Sequence, residues 1–115
     1  MQYVLLVYQG TNWARVPDLS EDDRKALVAE YAAINNSPGV TPGLPFGLPE
    51  KATTVRVNDG ETLTTEGPFV NAEGAIAGYY VFEADDLDAV IEVASRIPAA
   101  RLGGAVEVRP VETYW

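Results

Sequence analysis

Glu66 is the side chain of this sequence best placed to do chemistry. It precedes Gly67-Pro68-Phe69, where the glycine permits positive φ and the proline fixes its own φ and lacks a backbone donor. Such a pair should end a strand and project Glu66 from the corner in a defined direction. A carboxylate held there is a candidate general base, provided that it is buried. It serves equally well as a turn residue that accepts backbone hydrogen bonds. Glu107 and Arg109 form a second candidate group. They stand two apart in an alternating stretch, so they share one face of a strand. The pair reads as an internal salt bridge or, around a pocket, as a guanidinium for an anionic group with an acid beside it. Tyr80 and Phe69 complete the ligand-binding candidates. Tyr79 and Tyr80 cannot both face one pocket, because successive strand residues point to opposite faces.

Several kinds of chemistry are excluded by what the chain lacks. It has no cysteine and no histidine, so there is no disulfide, no thiol chemistry and no ordinary zinc site. The imidazole that usually titrates near neutral pH is missing as well. The expectation is a protein with no metal and no cofactor. A net charge of −9 argues against nucleic acid and against an anionic membrane surface. Gly10, Gly39 and Gly43 form no phosphate-binding pattern. Ser20 has neither His nor Lys poised to activate it and reads as a helix cap. Met1 to Tyr8 lacks the basic start of a signal peptide, and no apolar run reaches membrane-spanning length. A soluble cytoplasmic protein is expected.

The elements that must position these residues follow from periodicity. Tyr3 to Tyr8 reads as a strand that is apolar on both faces: Tyr3, Leu5 and Val7 against Val4, Leu6 and Tyr8. Trp13 lies in the loop that follows and should cap the core edge. Ser20 should cap a helix with an acid at its third position, with Leu27, Val28, Tyr31 and Ile34 inside and an end near Asn35-Asn36. Four prolines and three glycines between Pro38 and Pro49 predict an irregular loop or a short edge strand, with Leu44, Phe46 and Leu48 free to pack. Thr53 to Val57 and Thr62 to Thr65 should pair through Asn58-Asp59-Gly60.

Ile76 to Phe82 is again apolar on both faces, with Ile76, Tyr80 and Phe82 assigned to one side and Ala77, Tyr79 and Val81 to the other. Asp85 or Asp86 caps a second helix with Leu87, Val90, Ile91, Ala94 and Ile97 inside, and Pro98 stops it. In the last strand, Ala105 to Val111, Val106 and Val108 should face the helices. The order βα, hairpin, βαβ fits one α+β domain over residues 1–115, a ferredoxin-like sheet with two helices on one face and an inserted β-hairpin. Two helices cover one face only. The doubly apolar strands then require a second copy, so a homodimer is expected.

The order of Met1 to Tyr8, Ala52 to Arg56, Thr65 to Phe69, Gly78-Tyr79-Tyr80, Pro98 to Arg101 and Val106 to Val111 resembles the YCII-related family, specifically its DGPF subgroup, over nearly the whole chain. The resemblance implies a dimeric α+β barrel closed sheet to sheet and a pocket near the Glu66-Gly67-Pro68-Phe69 turn, most simply one that binds a small organic molecule, anionic ones included. It also implies two alternatives: a small-molecule isomerase, lyase or hydrolase with Glu66 as acid/base, or an accessory protein linked to sigma-factor regulation. The sequence departs from the family pattern in three ways. Glu66 stands where the family has aspartate, the Lys of the segment after Phe69 is lost, and no His exists to form a His–Asp pair.

Overall fold

In the computed structural model, residues 1–10, 18–71 and 74–113 are described. Trp13 lies outside them. Six strands and two helices occur in the order β1 (Gln2–Tyr8), α1 (Glu21–Asn35), β2 (Val40–Pro45), β3 (Thr53–Asn58), β4 (Glu61–Glu66), β5 (Ile76–Glu83), α2 (Leu87–Ser95) and β6 (Ala105–Pro110). Strands β2, β5, β1 and β6 lie in that order in one antiparallel sheet, while β3 and β4 pair only with each other. This is the expected ferredoxin-like α+β fold with its inserted hairpin. The Pro-rich stretch supplies the fourth strand. Prolines 42 and 45 donate no ladder hydrogen bond, and β2 accordingly sits at a sheet edge.

Both helices begin at side-chain caps. Ser20 Oγ accepts from the Asp23 amide at 3.1 Å, and Asp86 Oδ1 accepts from the Ala89 amide at 2.9 Å. Asp86→Ala should therefore cost about 1 kcal/mol of stability, read as a lowered urea midpoint with an unchanged slope. The hairpin turn is also as expected. Asp59 and Gly60 are its two loop residues, both at positive φ (51° and 79°), which matches the right-handed twist of the strands.

The core lies between the helices and one face of the four-stranded sheet. Tyr3, Leu5, Val7 and Phe82 from the sheet meet Ile34 of α1 and Val90, Val93 and Ala94 of α2, with Ile97 and Ala99 beyond. Val106 and Val108 pack against this cluster as expected. Three expectations need correction. On α1, Val28 is 65% exposed, and the inward row is Leu27, Tyr31 and Ile34. On α2, Leu87 and Ile91 are exposed, and Val93 takes an inner position instead. On β5, an irregularity in the β1 pairing opposes Val7 to Gly78 and Tyr8 to Ile76, so Ala77 is the extra residue. Ile76 therefore shares the face of Tyr79 and Val81, away from Tyr80 and Phe82.

Among the described residues, none covers the other face of the sheet. Val4, Leu6 and Tyr8 of β1 with Tyr79 and Val81 of β5 are only half-buried. The hairpin is likewise exposed along most of both strands, including Val55, Val57 and Leu63. The chain is flat and extended, 47 × 41 × 19 Å, with a radius of gyration of 16.1 Å. A compact chain of about 100 residues has a radius near 13 Å.

Candidate functional site

The Glu66 corner is held by two hydrogen bonds to the start of the hairpin. The Gly67 amide donates to the Ala52 carbonyl at 2.8 Å, and Thr54 Oγ1 donates to the Gly67 carbonyl at 2.8 Å. Gly67 takes φ +98°, a region that side chains avoid. The turn is thereby fastened to a short 3-10 segment, Pro49–Lys51, whose Lys51 amide donates to the Leu48 carbonyl. Phe46 enters from the end of β2, its amide donating to the Ala77 carbonyl at 2.9 Å. Its ring meets Tyr79 with centroids 6.2 Å apart.

Between these segments and the end of the sheet lies a cleft of about 530 Å³, within the range usual for small-molecule sites. Tyr8 and Ile76 form its sheet wall, Phe46 and Leu48 one side, and Pro68 and Phe69 the other, with Lys51 among the lining residues. Since Tyr8 and Ile76 pair on the uncovered face, the cleft opens at the end of that face. Among the described residues Lys51 makes no ion pair, and among the described lining residues it is the one that carries a charge.

The residues named from the sequence fall in separate places. Phe69 lines the cleft and is 75% exposed, with the Arg56 guanidinium 5.7 Å from its ring centroid. Glu66 ends β4, is exposed, and does not line the cleft. Glu107 and Arg109 sit on the uncovered sheet face, opposite Leu6 and Val4 respectively. The expected salt bridge between them is absent, and both side chains are exposed. Alternation alone explains this: residues two apart on one strand are held about 6.6 Å apart by the rise of the chain, and no neighbour draws them together.

Tyr80 points to the helix face. It lies opposite Leu5 and packs against the core beside Tyr31, with its phenol pushed above the ordinary range by burial and by that neighbour. It therefore cannot share a pocket on the uncovered face with Arg109. Sequence reasoning missed Lys51 and Tyr8. The signal for Lys51 was the prolyl start at Pro49, which fixes a short helical turn and sets the direction of the residue two places on. Among the described residues no three acidic side chains converge as a metal site, and no helix is long and apolar enough to cross a membrane.

Comparison with known proteins agrees with this architecture. The YCII-related domain pattern matches residues 1–114. A protein of Rhizobium meliloti (strain 1021), named there only as an uncharacterized protein, is 27% identical over 120 residues, covering 99% of this chain and 94% of its own. With the βαββαβ order and the inserted hairpin already established, the chain belongs to the YCII-related domain family.

Proposed function

We propose that this protein is a homodimeric binder of a small organic anion, with the cleft beside the Glu66-Gly67-Pro68-Phe69 turn as its site. The observation that carries the reading is the composition of the cleft: aromatic and aliphatic walls from Tyr8, Phe46, Phe69 and Ile76 around Lys51, the one charged side chain among the described lining residues. An ammonium group in an apolar setting favours a carboxylate, and flat rings favour a cyclic body. The uncovered sheet face supports the dimer. Facing sheets of two copies would cover Val4, Leu6, Tyr79 and Val81, enclose Glu107 and Arg109, and narrow the mouth of the cleft. The DGPF subgroup reading rests on the sequence motifs, Thr65 to Phe69 foremost.

Glu66 remains the acid–base candidate, at the end of β4 beside the turn. Its exposure leaves the carboxylate hydrated, which favours binding over turnover. The test is calorimetric titration with 2-naphthoate. Lys51→Gln should weaken binding roughly tenfold, the loss of one charge-assisted contact, while the melting temperature stays nearly unchanged. Glu66→Gln should leave affinity within about twofold; consumption of the ligand by wild type and not by this variant would establish the enzymatic reading in its place. Equal affinity of wild type and Lys51→Gln for 2-naphthoate would remove the cleft as an anion site.

A further inference from the structure

A second cavity lies on the opposite side of the sheet. It occupies about 310 Å³ between the C-terminal half of α1 and the β2–β5 edge, the lower end of the small-molecule range. Tyr31 and Asn35 enter it from α1, four residues apart and so on one helix face. Tyr80 and Gly78 enter from β5, two apart and so on one strand face. Gln9 closes the end beyond β1. Gly78 stands between Val7 and Pro45, its pairing partners on either side, and lets β2 approach so closely that a Cβ there would meet the Leu44 carbonyl oxygen at 3.1 Å.

Three features separate this cavity from an ordinary packing gap. First, the polar groups converge with a single hydrogen bond among them. Gln9 Nε2 donates to the Tyr31 hydroxyl at 3.0 Å, which leaves the Tyr31 proton free to donate elsewhere. Among the described residues the half-buried Tyr80 hydroxyl has no hydrogen-bond partner, while the Asn35 carboxamide is exposed to water. A half-buried hydroxyl without a partner calls for a ligand or water. Second, among the described lining residues none carries a charge, so a charged ligand would enter without a counter-ion at a desolvation cost. Third, burial and the adjacent Tyr31 push the Tyr80 phenol above its ordinary range. The Tyr80 phenol thus stays a neutral donor at neutral pH.

We propose that the Gln9–Tyr31–Tyr80 cavity is a second binding site, for an uncharged, flat cyclic molecule that bears a carbonyl or ring-nitrogen acceptor. The tyrosine hydroxyls donate to that acceptor, the free carboxamide oxygen of Gln9 accepts from a ring N–H, and the apolar walls hold the ring faces. The site is independent of the anion cleft. Tyr79 of the other face also lines the site, but Gln9, Tyr31 and Tyr80 enter from the helix side, which sheet-to-sheet dimerisation leaves open.

The experiment is an amide NMR titration of the full chain with 2-quinolinone, a neutral bicyclic lactam. Naphthalene serves as a control of like shape without polar groups. Saturable shifts at Gln9, Tyr31, Asn35, Gly78 and Tyr80, with naphthalene binding roughly tenfold more weakly, are expected. The double variant Tyr31→Phe/Tyr80→Phe should lose roughly tenfold in 2-quinolinone affinity while 2-naphthoate still shifts the Phe46–Phe69 cleft. That retained response would also show that the variant is folded. The naphthalene comparison uses wild type alone and holds even if the double variant fails to fold. Absence of saturable shifts, shifts confined to the Phe46–Phe69 cleft, or naphthalene binding as tightly as the lactam would each overturn the proposal. Failure of 2-naphthoate to bind would count against the anion cleft and leave this site standing.

Discussion

Leu5→Ala is expected to lower the unfolding free energy by about 2–5 kcal/mol, a large part of the roughly 5–15 kcal/mol that holds a domain of this kind together. Leu5 is fully buried. It sits in the central strand between Tyr80 of β5 and Val108 of β6, under the helices that contribute Ile34, Val90 and Val93. Because neighbours on both sides are fixed by ladder hydrogen bonds, the cavity left by truncation can collapse only in part. Val28→Ala supplies the contrast. Both substitutions remove methyl groups from apolar side chains, but Val28 stands on the outer face of α1 and should cost no more than about 0.5 kcal/mol. Urea unfolding at one protein concentration checks both. Comparable losses would mean that α1 is rotated about its axis relative to the fold described above.

That contrast marks the boundary of what the sequence reveals. Strand identity and the hairpin were legible because their signals are local: alternation in Ala105 to Pro110, and an Asp-Gly pair whose positive φ values only a tight turn supplies. Helix starts were legible for the same reason, since Ser20 and Asp86 cap their own first turns. The inward face of α2 was not legible. Leu87, Val90, Ile91, Val93 and Ala94 are all apolar, so two helical rows compete. The sheet chooses between them by placing Val90, Val93 and Ala94 over Leu5 and Val7. Asp88, Glu92 and Ser95 mark the outer face of α2, but periodicity alone does not say whether Leu87 and Ile91 or Val93 complete the inner one.

The irregularity near Ile76 was hidden in a different way. One extra residue, Ala77, moves Ile76 to the other face, and nothing in Ile76-Ala77-Gly78 announces it. The candidate site divided along the same line. The turn at Gly67-Pro68 was legible, whereas Lys51 and Tyr8 reach the cleft through the docking of separate segments. Tyr80 illustrates the limit from the opposite side. Its alternation placed it correctly away from Tyr79, yet only the packing against Tyr31 shows which face carries the second cavity.

Leu6→Asp is expected to turn a dimer into a monomer that still folds. Leu6 is next to Leu5 in the sequence but belongs to the uncovered face, half-buried between Tyr79 and Glu107. If two copies join through this face, their sheets lie about 10 Å apart and Leu6 falls near the middle of the contact. An aspartate there would lose its hydration without gaining a partner, and Glu107 directly opposite adds like-charge repulsion. A two-fold interface contains the substitution twice. At several kcal/mol for each buried carboxylate, affinity should fall by about four powers of ten or more.

In the monomer the same aspartate faces water, so the helix-side core is untouched and the far-UV circular dichroism should be retained. Sedimentation equilibrium at micromolar concentration is the measurement. Wild type should appear at twice the mass of one chain and Leu6→Asp at the mass of one. The 2-naphthoate response should weaken together with the dimer, because the cleft opens at the end of the same face. A wild-type monomer, or a Leu6→Asp variant that remains dimeric, would show that the uncovered face is not where two copies meet.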